Sequence, residues 1–219
     1  MTEWRLLEGV PAEEVRRLLE VARRRTFRRG EVVFHRDDPA DSLHLVVKGR
    51  FAIRVTTPLG DQATITVRGP GDSFGEMAVV GLDAKRSATV EALEEAETFC
   101  VYEQEFHRLR REHPEVTDLV IRFLVSEVRM LNERLLEALY VPVERRVLRR
   151  LNELGRLYAR GDDQQVEIPL TQEELAGLAG ATRATVNGVL RDAEKKGLLE
   201  LGRGKTRVLD PEELARRAR

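Results

Sequence analysis

The chain has 219 residues, of which 42% are hydrophobic and 34% are charged, and its formal net charge is -1. No apolar run approaches the ~18 residues that a membrane-spanning helix requires, so we expect no membrane partner. Cys100 is the only cysteine, which excludes an intramolecular disulfide and cysteine-rich metal clusters, and we expect no metal.

The first thirty residues are rich in Arg and Glu and lack the apolar centre of a signal peptide, which predicts a cytoplasmic protein. Charge is uneven along the chain. Residues 1–113 carry 18 Lys+Arg against 20 Asp+Glu, and residues 142–219 carry 16 against 13. The C-terminal third is therefore the basic part, a composition that suits nucleic acid but that a solvated Arg/Glu face also gives.

The N-terminal half predicts a short helix followed by a β-rich domain. Residues 11–24 repeat apolar positions at helical spacing. From Gly30 to about Tyr102 the apolar residues recur at every second position, as in a β-strand. The short runs are EVVFH, SLHLVVKG, RFAIRV, QATITV, ATVEA and ETFCVY. Such runs predict a barrel or sandwich, and we assign residues 1–113 to one effector domain.

Residues 114–141 predict one long helix, bounded by Pro114 and Pro142. Its apolar residues alternate in spacing between four and three, which is typical of a coiled-coil seam and predicts a homodimer. A helix packed only on its own domain is the alternative. The predicted dimer interface consists of Ile121, Leu124, Val128, Leu131, Leu135 and Ala138.

Residues 142–219 predict a helix-rich domain that contains a helix-turn-helix. A helix over 143–159 is followed by a polar loop over 160–167. Thr171-Gln-Glu-Glu174 is a capping box, so a helix begins at Gln172; Gly180 suits the turn, and Thr182 can cap a second helix. The segment LLELGRGKTRVLD then predicts a β-hairpin, which completes a winged helix-turn-helix.

In this motif the start of the second helix enters the major groove of double-stranded DNA. Arg183 can donate two hydrogen bonds to one guanine, at O6 and N7, and can thereby read sequence. The basic residues of the hairpin suit phosphates, and phosphate contacts position a protein without specifying sequence. The alternative is an ordinary pair of helices with surface charges. The predicted DNA-contacting residues are Thr171, Thr182, Arg183, Thr185, Asn187, Arg191, Arg203, Lys205 and Arg207.

The segment from Phe74 to Thr89 predicts a pocket for a ribose phosphate. A glycine lets backbone amides approach a ligand, and Glu-Met-Ala-Val predicts a short helical turn. The Glu76 carboxylate suits sugar hydroxyls, and Arg86 with Ser87 suits a phosphate. From the residue types alone, a buried Glu76–Arg86 ion pair is an equal alternative.

The chain resembles the cyclic AMP receptor protein (CRP/FNR) family, bacterial regulators that join a cyclic-nucleotide-binding barrel to a winged helix-turn-helix. FGEMAVVGLDAKRSA is similar to the family's phosphate-binding cassette, and TRATV to the start of its recognition helix. The resemblance covers essentially the whole chain and implies an α+β fold: a jelly-roll-like barrel, a long dimerisation helix and a C-terminal winged helix-turn-helix. It implies backbone contacts from Gly75 and Met77, a ribose contact from Glu76, and phosphate contacts from Arg86 and Ser87.

Two segments depart from the family pattern. Leu131 and Asn132 stand where the family's cyclic AMP receptor has an adenine-binding Thr-Ser pair, and only Asn132 can hydrogen-bond a purine. Ala184 and Gly188 stand where its recognition helix has a base-reading Glu and a second Arg, so the DNA half-site is not carried over.

The sequence therefore predicts a dimeric transcription regulator with cyclic AMP as effector, a pseudo-palindromic operator as DNA partner and RNA polymerase as a further partner. The alternatives are a constitutive regulator of the same family or one that binds another nucleotide, such as cyclic di-GMP. An enzyme is not indicated, because the four histidines show no paired metal spacing and no nucleophile elbow is present.

Overall fold

The computed structural model describes residues 3–56, 62–80, 85–159 and 165–219. The predicted turn at Leu59-Gly60-Asp61, residues 81–84 of the cassette and most of the predicted 160–167 loop lie outside the described residues. The chain forms two compact units, the first from residues 1–61 and 65–130, the second from residues 62–64 and 131–219.

Up to the end of the long helix, the order is a 3-10 turn, a helix, two segments of β-structure with a short helix between them, and two further helices. In chain order these are the 3-10 turn Arg5–Leu7, α1 Ala12–Val21, β1 Arg23–Phe27, β2 Val32–Phe34, β3 Ser42–Lys48, β4 Phe51–Thr56, β5 Gln62–Arg68, β6 Ser73–Phe74, α2 Met77–Val80, β7 Thr89–Ala92, β8 Ala96–Tyr102, α3 Glu103–Glu112 and α4 Glu115–Tyr140.

The strands form two four-stranded sheets, in the orders β1-β8-β3-β6 and β2-β7-β4-β5. Strand β3 shows how the sequence builds the core, because its residues alternate between two apolar clusters. Val46 lies in a cluster between the sheets, together with Phe51 and Phe74. Leu43 and Leu45 lie in a second cluster with residues of α1, α3 and α4. The sheet is therefore covered on both faces.

One predicted boundary in this unit is corrected and one helix is added. The helix expected over 11–24 ends at Val21, and Arg23–Phe27 is a strand that pairs with β8. The four residues Arg23 to Thr26 are exposed, so the strand has no apolar alternation that the sequence could reveal. The sequence analysis also missed α3, whose ten residues bury Phe106 and Leu109.

Among its described residues, the second unit contains four helices after α4 and a three-stranded antiparallel sheet in the order β10-β11-β9. Its elements are α5 Val143–Tyr158, β9 Val166–Ile168, α6 Gln172–Ala179, α7 Arg183–Lys195, β10 Leu199–Gly202, β11 Lys205–Val208 and α8 Pro211–Arg217. The strand β9 corrects the predicted 160–167 loop, because Val166 and Ile168 are buried and pair with β11.

Both predicted helix caps are present. The Thr171 hydroxyl accepts a hydrogen bond from the Glu174 amide at 3.2 Å, and the Glu174 carboxylate accepts one from the Thr171 amide at 2.7 Å. Gly180 follows in the left-handed conformation, and the Thr185 amide donates to the Thr182 hydroxyl at 3.2 Å. These bonds satisfy amides that have no partner within the helix.

The end of α4 is tied to α5 through one carboxylate. Glu137 accepts a hydrogen bond from Arg149 Nη1 at 2.7 Å and also pairs with Arg150. Arg150 is buried and bonds Glu153 of its own helix at 2.8 Å. Pro142, between the two helices, is the N-cap of α5.

Candidate functional site

Arg86 is the buried cation of the candidate pocket. Its Nη1 donates to the Ser42 backbone oxygen at 2.6 Å, and its Nη2 donates to Ser42 Oγ at 2.8 Å and to Asp41 Oδ1 at 3.1 Å. The guanidinium carbon lies 4.0 Å from the ring centroid of Phe34. The side chain is only 4% exposed, and burial lowers the pKa of Arg86 from its ordinary value.

The guanidinium keeps one unused donor. Arg86 Nε is buried and has no hydrogen-bond partner in the part of the chain that the structure describes. A buried donor without a partner costs stability, which an acceptor from a bound molecule would recover. Arg86 thus has both the charge and a spare donor for an anion.

Gly75 makes the room that Arg86 occupies. Its φ is +80°, and a Cβ at this position would lie 2.8 Å from Arg86 Nη1 and 2.9 Å from the Ser42 backbone oxygen. Any side chain here would therefore both strain the backbone and collide with the guanidinium. Met77 begins the short helix α2, and Ser87 is exposed next to Arg86.

Glu76 shares this pocket with a second pair of charges. Burial raises the pKa of Glu76; the positive charges of Arg68 and Arg86 oppose that rise, and the negative charge of Glu127 adds to it. Arg68, at the end of β5, donates from Nη2 to Glu127 Oε2 on α4 at 2.6 Å. Both side chains of this pair are mostly buried.

The sequence analysis missed Arg68 and Glu127. Each is a single charged residue in an ordinary amphipathic segment, so no local pattern marks it. Leu131 and Asn132, which the resemblance implied for base contacts, are exposed on the part of α4 that belongs to the second unit. Among the described residues, it is Glu127 that connects α4 to the charges beside Glu76.

The long helix carries a row of exposed apolar side chains. Their relative exposure lies between 46% and 64%. The row consists of Ile121, Val125, Val128, Leu131, Leu135, Leu136 and Leu139. Leu124, which the spacing placed in the seam, packs against the barrel core and Val125 takes its exposed place, while Ala138 is exposed as expected.

The helix-turn-helix presents its predicted side chains in different ways. Arg183 and Arg191 are exposed on α7. Thr185 shares a hydroxyl hydrogen bond with Thr182 at 2.9 Å. The Asn187 side-chain oxygen accepts from Gln172 Nε2 at 3.4 Å, which ties it to α6. Thr171 acts as the cap of α6.

The hairpin formed by β10 and β11, here called the wing, carries Arg203 at its exposed tip. Lys205 and Arg207 pair with glutamates of neighbouring strands. Within the described residues, no group of three or more His, Cys, Asp or Glu could hold a metal ion, and no helix is long and apolar enough to cross a membrane.

Comparison with known proteins identifies the family. A cyclic nucleotide-binding domain matches residues 24–113, and a Crp-like helix-turn-helix domain matches residues 145–217. The cyclic AMP receptor protein of Thermus thermophilus is 31% identical over 203 residues, which cover 93% of this chain and 91% of that protein. This chain belongs to the CRP/FNR family of transcription regulators.

Two further relatives agree with this assignment. A CRP-like cAMP-activated global transcriptional regulator of Mycobacterium tuberculosis is 29% identical over 216 residues, or 98% of this chain and 96% of that protein. The crystal structure of the Thermus thermophilus catabolite activator protein matches with a TM-score of 0.56 at 29% identity, covering 98% of both chains. The predicted family and fold class are confirmed, and this family consists of regulators and not of enzymes.

Proposed function

We propose that this CRP/FNR member is a homodimeric, sequence-specific DNA-binding regulator whose DNA affinity is raised by a cyclic nucleotide, with cyclic AMP as the first candidate. The observation that carries the proposal is the buried Arg86 beside Glu76, in a chain that also has a winged helix-turn-helix. The proposed parts are an effector domain over 1–113, a dimerisation helix over 114–141 and a DNA-binding domain over 142–219.

The chemistry of the pocket supports a phosphate ester. Of the described groups that accept from Arg86, only Asp41 is charged, and its side chain is 65% exposed. A cyclic phosphate can replace this carboxylate or join it, and charge-assisted hydrogen bonds are stronger than neutral ones. The Glu76 carboxylate, when ionised, accepts a hydrogen bond from a ribose hydroxyl. The relatives named for cyclic AMP support this nucleotide in particular.

The exposed row on α4 supports the homodimer. Seven large apolar side chains along one helix form a contiguous patch that a monomer would leave in water. A second copy of α4 would cover this patch by forming the coiled coil that the spacing of the apolar residues predicts. A two-fold dimer would carry two recognition helices and bind a pseudo-palindromic operator.

The DNA-contacting residues are proposed from their position on α7 and the wing. Arg183 lies in the first turn of α7, where side chains of a recognition helix meet base edges. Asn187 would contact adenine or phosphate only after it gives up the bond from Gln172. As an activator, the dimer would also contact RNA polymerase.

Titration tests the proposal directly. Calorimetry with cyclic AMP, cyclic GMP and cyclic di-GMP should show binding of cyclic AMP, and the bound nucleotide should tighten binding to an operator selected from random DNA. Tight operator binding without nucleotide, together with no effect of millimolar cyclic AMP on DNA affinity or melting temperature, would instead support the constitutive alternative. That alternative has one structural argument, since Asp41 and Ser42 already engage Arg86.

A further inference from the structure

The sheet that contains the wing has one charged face. Cross-strand pairing places Arg207 of β11 opposite both Glu200 of β10 and Glu167 of β9. Thr206 and Val208, which alternate with the basic residues of β11, are buried. The period of two therefore brings the two glutamates together with Lys205 and Arg207 on the exposed face.

These four side chains form ion pairs. Glu167 Oε2 accepts from Lys205 Nζ at 2.8 Å and from Arg207 Nη2 at 3.4 Å, and Glu200 Oε2 accepts from Arg207 Nη1 at 3.2 Å. The bonds from Lys205 and Arg207 lower the pKa of Glu167, so its carboxylate is ionised at neutral pH. Arg203 at the tip has no ion pair among the residues that the structure describes.

We propose that Glu167 restrains the wing's attraction for DNA: it withholds Lys205 from phosphate contact, helps Glu200 to withhold Arg207, and leaves Arg203 as the wing's main phosphate contact. The inference rests on the proposed DNA-binding function and concerns its salt dependence. It assigns to an acidic residue of β9, outside helices α6 and α7, the role of keeping binding to random DNA weak.

The physical argument is one of competition. A cation that already has a carboxylate partner gains less from a phosphate, because it must leave or share that partner, and the carboxylate repels the phosphate. Each phosphate that a protein neutralises releases counterions and contributes about -0.9 to the slope of log Kobs against log salt. A change in the slope on substitution of a wing residue therefore counts the wing cations that gain or lose contact with DNA.

The decisive variant is Glu167→Gln, measured on random duplex DNA between 50 and 200 mM salt. This variant frees Lys205, whereas Arg207 keeps its bond to Glu200, so the slope should steepen by about 0.9 and the affinity lost across this range should grow about 3.5-fold. Glu212→Gln is the matched control, since it removes the same charge from the exposed first turn of α8. It should change the slope much less. Equal melting temperatures will confirm that both variants are folded.

Substitution of the cations completes the test. Arg203→Ala should reduce the wild-type slope by about 0.9, whereas Lys205→Ala should leave it almost unchanged. In the Glu167→Gln background, Lys205→Ala should remove part of the gain, because the freed lysine then contacts DNA. This double-mutant cycle measures the restraint itself.

Two results would overturn the inference alone: a Glu167→Gln slope no steeper than that of Glu212→Gln, or a wild-type slope that falls as much with Lys205→Ala as with Arg203→Ala. Absence of salt-dependent DNA binding by the wild-type dimer would overturn the proposed function, and the inference with it.

Discussion

At the scale of single residues, local structure fixes the position of Arg86, the proposed phosphate contact. It is held by Asp41 and Ser42 on one side and by the ring of Phe34 on the other. Gly75 must lack a side chain for this arrangement to exist. The pocket is thus built around one guanidinium, whose position is fixed before any ligand arrives.

Replacement of Arg86 by Leu should abolish nucleotide binding and leave ligand-free DNA binding near that of wild type. A charge-assisted hydrogen bond contributes ~1.5–3 kcal/mol, so the loss of even one weakens affinity by about tenfold or more. Calorimetry with cyclic AMP measures the effect. Lys85→Leu is the control, because it removes a neighbouring exposed cation. Nucleotide affinity that survives in Arg86→Leu would remove this residue from the site.

The buried His44 should make the free energy of unfolding depend on pH. It is buried, stacked on Phe74 with ring centroids 5.0 Å apart, and bonded through Nδ1 to Thr98 Oγ1 at 3.0 Å. Burial, with the charges of Arg86 and Arg25, lowers the pKa of His44 to about 3. Between this value and the unfolded pKa of about 6.5, the unfolded chain binds a proton that the folded chain does not.

His44 therefore makes the free energy of unfolding fall as pH drops below about 6.5, by up to about 1.4 kcal/mol per pH unit. The raised pKa of Glu76 acts in the opposite sense, so the comparison needs a variant. In His44→Phe the acid-dependent loss should be smaller by this amount. Urea unfolding at pH 7.5, 6.5, 5.5 and 4.5 measures it; parallel pH profiles for the two proteins would contradict the assignment.

Gly188 is an exposed glycine in the middle of α7, and a Cβ built there meets nothing within 4 Å. Gly188→Ala should raise the stability of the domain by ~0.5–1 kcal/mol, because glycine disfavours a helix interior. It should also weaken operator binding if this face meets DNA closely. Gly155→Ala is the matched control on α5, where a Cβ likewise meets nothing. An equal effect of the two variants on operator affinity would place Gly188 away from the interface.

At the scale of elements, the sequence predicts those helices and strands whose ends are set by neighbouring residues in the chain. The α6 capping box, the α7 cap and the wing follow from Thr171, Thr182 and the residues around Gly202 and Gly204. The missed elements depend on tertiary contacts. Strand β1 forms because β8 offers it a free edge, and its arginines give no alternation. In the pocket, the resemblance to the family's cassette predicted Glu76 and Arg86. Arg68 and Glu127 are far apart in the sequence and come into contact only when the chain folds, so no local pattern predicts their pair.

The exposed row of α4 predicts that charge in the seam breaks the dimer. Leu135→Glu would bury two carboxylates against each other across a two-fold axis, which is strongly unfavourable. Sedimentation should show a folded monomer. Arg122→Glu, which places the same side chain at an exposed position of α4 outside the seam, should remain dimeric. A well-folded Leu135→Glu dimer would exclude this row as the interface.

At the scale of the whole molecule, the proposed function requires coupling between ligand and DNA. A typical coupling free energy of ~1–3 kcal/mol implies that the nucleotide tightens operator binding roughly 5–150-fold. By linkage, operator DNA must tighten nucleotide binding by the same factor. Calorimetric titration of cyclic AMP into free and operator-bound dimer measures this reciprocal effect. Two unequal factors would show that a further equilibrium, such as dimer dissociation, takes part.

The ion pairs of Glu137 make the junction between α4 and α5 resist rotation. Rotation of α5 about Pro142 would separate Glu137 from both Arg149 and Arg150, and the Arg150 side chain is only 7% exposed. Arg150 would keep its bond to Glu153 of the same helix, but Glu137 would lose both of its arginine partners, which disfavours the rotation. These ion pairs therefore oppose rotation of α5 relative to the last turns of α4.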